Sequence, residues 1–261
     1  MFGILARSPA QQSRNSVGQQ TIVAIDAESR LRSLSVPECA TDQSSVQLDQ
    51  RRFKIRLART TDQRQSANLL IRKMYSWRGY HTMAEADHAA NRISLSVSSE
   101  DHIIGTLTLG LDVEEGLSAD AMYKGEIDQL RAQGRRICEI TKLAVDQSVG
   151  SRRVLAALFH IAYIHAHRIH GCTDIMIEVN PRHVMFYERM LGFRRFGEEK
   201  LCARVNAPAV LLRLETDYVD IQLTKFAGLG EKAAGERSLY PYAFHKAEEA
   251  GITQRLLAHS H

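Results

Sequence analysis

The chain has 261 residues, 44% hydrophobic and 25% charged, with a formal net charge of +4. That length holds one larger domain or two small ones, and the composition is that of a globular protein with a sizeable core. It excludes several classes. No apolar run approaches the roughly 20 residues that span a bilayer, MFGILARSPA lacks a signal-peptide pattern, and the charge is too small to argue for nucleic acid, so a cytoplasmic address without a transmembrane segment is expected.

The four cysteines, Cys39, Cys138, Cys172 and Cys202, form no CxxC pair, so reduced thiols and no zinc site are expected. The charge is unevenly spread. Residues 51–80 carry nine basic side chains against Asp62 alone, and residues 81–130 carry ten acidic against two basic. Arg152-Arg153 and Arg194-Arg195 add basic pairs that either attract an acidic macromolecule or lie on a solvated face.

Residues 1–50, with QQSRNSVGQQ and TDQSSVQLDQ, lack periodicity and predict a poorly ordered tail. Phe53, Ile55 and Leu57 alternate with basic residues as in a half-buried strand. Thr61-Asp62 then caps a helix whose Ala67, Leu70, Ile71, Met74 and Tyr75 share a stripe. Ile93, Leu95 and Val97, followed after a Glu-Asp turn by IIGTLTLGL, predict an antiparallel hairpin. Residues 112–134 are acidic and read as a loop, with room for a short helix.

ICEITKLAV is the next strand, RRVLAALFHIAYIHAHRIHG a long buried helix stopped by Gly171, and TDIMIEV another strand. Asn180-Pro181 then starts a short helix that carries Tyr187 and ends at Gly192. RRFGEE and PAVLLRLE predict two closing strands, and the rest is helical and amphipathic. The element order predicts a mixed α/β layer design, not a doubly wound parallel sheet.

That order, with Asn180, Phe186, Tyr187, Gly192 and Phe193 in NPRHVMFYERMLGF, resembles the GCN5-related N-acetyltransferase superfamily over about residues 53–215. The resemblance implies a mixed sheet with splayed central strands, flanked by helices, and an acyltransferase domain over 51–215 between the tail and a helical extension, 216–261, that packs on it. Ordinary members hold coenzyme A with a glycine-rich turn whose N–H groups meet the pyrophosphate. Here DQSVGSRRVL offers Gly150 alone, with bulky Arg152 and Arg153 beyond it. A donor with the phosphopantetheine arm but no nucleotide, acyl carrier protein, does not need that turn.

RICEITKLAVD, with Glu139, is similar to a stretch of acyl-homoserine-lactone synthases, and LIRKMYSWRGY resembles their early segment. The tryptophan motif of those enzymes is not reproduced in Trp77-Arg78-Gly79-Tyr80. The whole pattern looks most like the long-chain N-acyl amino acid synthases, which transfer a fatty acyl chain to an amino acid amine. The resemblance implies no permanently bound cofactor, and acyl carrier protein and an amino acid as partners.

Amide formation from a thioester needs a free amine, a stabilised oxyanion and a proton for the departing thiolate. Glu139 is the candidate base, or else a carboxylate paired with Lys142 or an Arg. Backbone N–H groups near Leu143, Ala144 and Val145 are expected to meet the oxyanion and the arm, with Gly150, Ser151, Arg152, Arg153 and Asn180 also on the donor side. A phenol's ordinary pKa of about 10 is close enough to a thiol's roughly 8.5 for Tyr187 to act as acid; packing is its other reading. Arg72 and Arg78 are candidates for the substrate carboxylate, and Tyr75 and Trp77 for the acyl or aromatic pocket. The histidines at 160, 165, 167 and 170 lack a carboxylate at ligand spacing and predict no metal.

Three functions compete: transfer of a long acyl chain from acyl carrier protein to an amino acid, coenzyme A-dependent acetyl transfer or lactone-synthase-like chemistry, and a module that only binds carrier protein or lipid.

Overall fold

A computed structural model describes residues 21–28, 50–58, 61–76, 91–100, 102–146 and 151–258. Among these, nine strands form one sheet: β1 (Val23–Glu28), β2 (Gln50–Leu57), β3 (Arg92–Ser99), β4 (His102–Leu111), β5 (Ile137–Val145), β6 (Asp174–Val179), β7 (Arg194–Arg195), β8 (Lys200–Cys202) and β9 (Ala207–Glu215). Their order is β1-β2-β3-β4-β5-β6-β9-β7, with β8 paired to β9. All neighbours are antiparallel except β5 and β6.

β1 corrects the expectation of a structureless tail. Val23–Glu28 pairs with β2 along its length, and Ile22 and Ile25 are buried in the main core. Among the described residues it is an edge strand, and two carbonyls at this edge are taken by guanidinium groups: Arg255 Nε donates to Ile22 O at 2.9 Å and Arg153 Nη1 to Asp26 O at 3.2 Å. The rest of 1–49 lies outside the described residues.

Among the described residues, six α-helices cover the two faces: α1 (Thr61–Ser76), α2 (Asp120–Ala132), α3 (Arg152–Tyr163), α4 (Val184–Leu191), α5 (Thr216–Phe226) and α6 (Lys246–Ala258). Alternation along the strands sorts them. Cys138, Ile140, Ile175, Ile177, Leu212 and Leu214 point to the face where α3, α4, α5 and α6 close the main core. Ile137, Met176 and Leu211 point the other way, against Tyr123, Ile127 and Leu130 of α2. α1 joins that second face, where Leu70, Ile71 and Met74 pack on Ala144.

Over 112–134 the expected loop is largely confined to 112–119 and the helix is longer than a short one, because the acidic residues have partners. Arg131 binds Asp112 at 2.7 Å, Asp120 at 2.7 Å and Asp128 at 2.6 Å, so the charges hold a helix of 13 residues in place. Its apolar stripe does the rest. α3 is N-capped by Ser151, whose hydroxyl accepts from Val154 N at 3.4 Å, and it continues as a π-helical stretch, Ile164–Ile169, up to Gly171 at φ +65°.

Two features open the middle of the sheet. Thr106 faces Ala144 and Thr108 faces Thr141, so two residues of β5, Lys142 and Leu143, oppose the single residue between them on β4, and Lys142 takes φ +53°. Beside this bulge, β5 pairs with β6 only from Ile137↔Asp174 to Ile140↔Ile177. β6 stays paired to β9 as far as Val179↔Val210. β5 therefore leaves β6 after Ile140, and a gap opens.

Candidate active site

The gap leads into a cavity of about 260 Å³. One wall is the diverging stretch of β5, Ile140 to Leu143, and the other is β6 from Met176 to Asn180. α1 contributes Ile71, Arg72 and Tyr75, the segment before α2 contributes Ser118 and Ala119, and the turn between β8 and β9 contributes Arg204 and Val205. His183 and Tyr187 complete the lining from the α4 side.

Glu139 sits at the root of the opening and is 2% exposed. Oε1 accepts from Ser118 N at 2.8 Å, Oε2 accepts from Ala119 N at 3.1 Å, and Arg92 Nη2 lies 3.3 Å from Oε1. Glu139 is thus a paired carboxylate, with Arg92 as partner. Gly110 is packed tightly beside it, since an added Cβ there would come within 3.1 Å of the Glu139 side chain.

Tyr187 is 9% exposed and packed edge-on to Phe159, Phe186 and Phe193, with ring centroids at 6.4, 5.3 and 5.9 Å. Packing and a place on the cavity wall thus coexist. Its helix is set by its two ends. Asn180 Oδ1 accepts from Arg182 N at 3.2 Å while its Nδ2 donates to Pro208 O at 3.1 Å, fastening the helix start to β9. At the other end Gly192 adopts φ +81°, where the Tyr218 ring leaves no room for a side chain.

Of the predicted donor residues, Leu143 and Asn180 line the cavity. Ala144 turns its methyl to α1, Arg152 stacks on the Tyr242 ring at 6.0 Å, and Arg153 reaches β1. Val145 packs against the main core and Ser151 is occupied as a cap. Arg72 and Tyr75 do border the cavity. Trp77, Arg78 and Gly150 lie outside the described residues.

Sequence reasoning missed Arg92, Thr141, Glu178 and Arg204. Glu178 is the single charge near the end of an apolar strand, TDIMIEV, a signal that was available. It forms an ion pair with Arg204. Burial, and then the Glu178 charge, push the nearby Tyr123 phenol up to about 12, so it stays protonated and donates to Ala209 O at 2.8 Å and Glu198 O at 2.9 Å. Tyr123 thereby ties α2 to β9 under the cavity.

A mixed sheet that parts between two parallel neighbours, with a cavity in the parting, is the architecture of the GCN5-related acyltransferases. In sequence, residues 66–215 match the family described as N-acyl amino acid synthase FeeM. In structure the chain is similar to FeeM, an N-acyl amino acid synthase from uncultured soil microbes, at 26% identity and a TM-score of 0.60, over 64% of this chain and 92% of that one. An acyl-CoA N-acyltransferase from Pseudomonas aeruginosa aligns at 14% identity and 0.45, over 62% and 98%. The AHL synthase LasI aligns at 13% and 0.43, over 63% and 89%. No curated protein matches in sequence. The chain is an acyltransferase of this fold and belongs to the FeeM family.

Proposed function

We propose that the protein joins a long-chain fatty acyl group, carried as a thioester on the phosphopantetheine arm of acyl carrier protein, to the amine of an amino acid. The observation that carries this reading is the gap beyond Ile140 and Ile177, which opens on a cavity reaching Tyr187. A slender arm laid in such a gap finds backbone donors and acceptors on strand edges that no longer pair with each other, a form of strand addition. The bulge at Lys142 and Leu143 turns backbone groups out of the ladder toward the same space, where N–H groups stabilise the thioester oxyanion. Ile71, Leu143, Met176 and Val205 supply apolar lining for the acyl chain.

The reaction is direct aminolysis. The amine nitrogen bonds to the thioester carbonyl carbon, the tetrahedral adduct collapses with loss of the C–S bond, and the Tyr187 phenol protonates the departing sulfur. Two carboxylates on the cavity wall, Glu139 and Glu178, are within its polar lining for the proton that the ammonium must lose.

Purified protein offered acyl carrier protein thioester, the matching coenzyme A thioester and a panel of amino acids tests this. The expected product, read by mass spectrometry, is an N-acyl amino acid from the carrier-protein donor. Turnover with the coenzyme A donor alone reassigns the donor, and transfer from neither leaves a binding module.

A further inference from the structure

The geometry points to Glu178 and Arg204 as the receptor for the zwitterionic head of the amino acid, Arg204 binding its carboxylate and Glu178 its ammonium. This deepens, and rests on, the N-acyltransferase reading above. Parallel pairing ends at Ile140↔Ile177, so the first residues facing each other across the gap are Thr141 and Glu178. Met176, two residues before Glu178, is buried on the α2 face, which puts the Glu178 side chain on that face at the mouth of the gap.

The Glu178 side chain is 13% exposed and its Arg204 partner 32%. Arg204 belongs to the turn after β8, where Asn206 takes φ +48°. A nearly buried charge is tolerable only when paired, and breaking such a pair without replacement is costly. A free amino acid carries the two complementary charges on neighbouring atoms. Entering between Glu178 and Arg204, it replaces one ion pair by two, so neither wall charge is stranded. An amine without a carboxylate offers Arg204 no anion in exchange for Glu178, and this selects for amino acids.

Two contrasts single out this pair. Both oxygens of Glu139, the other carboxylate of the cavity, are occupied by the Ser118 and Ala119 amides, and Arg92 closes on the same group. Opposite Glu178, the buried Thr141 Oγ1 has no hydrogen-bond partner among the described residues and borders the cavity. A polar ligand at this point satisfies it. Glu178 accepts one proton from the ammonium and passes it to solvent. The amine then forms the C–N bond, the C–S bond breaks, and the second N–H proton balances the one Tyr187 gives to sulfur.

The test uses the full chain with acyl carrier protein thioester and compares a free amino acid with its carboxamide. In the Arg204→Gln variant, KM for the free acid is expected to rise about 10- to 100-fold while that for the carboxamide stays put, and Arg204→Lys recovers part of the loss. Glu178→Gln is expected to lower kcat near neutral pH, with recovery toward alkaline pH as the amine loses its proton unaided. Thermal melts of both variants separate these effects from misfolding. Unchanged preference for the free acid in folded Arg204→Gln, together with an unchanged pH profile in folded Glu178→Gln, overturns the proposal while leaving the N-acyltransferase reading intact. A wild-type chain that acylates neither amine overturns both.

Discussion

The Ser118 amide donates to Glu139 Oε1 at 2.8 Å across a separation of 21 positions, and Ala119 N meets the other oxygen at 3.1 Å. A carboxylate rising from the sheet thus clasps the chain just before α2. Arg92 from β3 closes on the same group at 3.3 Å and also donates to Ser118 Oγ at 2.6 Å, so three segments are joined at one point on the cavity rim.

Replacing that carboxylate by a carboxamide sets an NH2 group against a backbone N–H or the guanidinium. Glu139→Gln is therefore expected to destabilise the fold by about 1 to 3 kcal/mol, read as a lower thermal midpoint.

Tyr187→Phe keeps the ring between Phe159 and Phe193 and removes only the hydroxyl. Stability is expected to stay within about 1 kcal/mol, while acyl transfer falls on the order of 100-fold, the usual contribution of a positioned acid. Single-turnover assays with a preformed donor separate this from slow product release.

Lys142 holds φ +53° at the bulge, a conformation that costs an L-residue about 1 kcal/mol or more and glycine almost nothing. Lys142→Gly is expected to leave the thermal midpoint level or slightly raised. Lys142→Val, branched at Cβ, is expected to lower it and to reduce transfer, because the bulge that parts the strands is what it strains.

Glu249 on α6 binds α3 and its π-helical continuation, with Oε2 3.4 Å from His160 Nε2 and Oε1 2.8 Å from Arg168 Nε. The proximity of His160, then the hydrogen bond from Arg168, holds the Glu249 carboxyl at about 2 despite burial that works the other way. Because its pKa is depressed in the folded state, the stability it contributes is complete above the unfolded value of about 4.3 and fades as pH falls toward 2. The gap in thermal midpoint between wild type and Glu249→Gln is expected to be widest near neutral pH and to close in that acid window.

Gly192→Ala is expected to cost about 1 to 3 kcal/mol. The position has φ +81°, and a Cβ would fall 2.2 Å from Tyr218 Cε1, so both the α4 terminus and the ring must shift. Hydrogen exchange of the α4 amides reads the loosening directly.

Periodicity made much of this legible. The stripe Ala67, Leu70, Ile71, Met74 is buried on α1, and Asn180-Pro181 and Gly192 bound the helix of Tyr187 as their backbone preferences require. β1 escaped because VAIDAE is short and set among polar residues, and its burial depends on β2, far along the chain. α2 escaped because its charges read as solvated until Arg131 is seen to gather them. The pairing of Glu178 with Arg204 spans 26 positions and passes through a turn with no periodic signature. Local rules place elements; which polar groups meet across a gap is decided by the sheet's register.

The arginines that reach β1 have a consequence for how molecules of this protein meet one another. A bare outermost strand is a template onto which a second chain can add. With Arg153 seated on Asp26 O and Arg255 on Ile22 O, a newcomer has to displace two guanidinium groups, one from α3 and one from α6, before it can extend the ladder there.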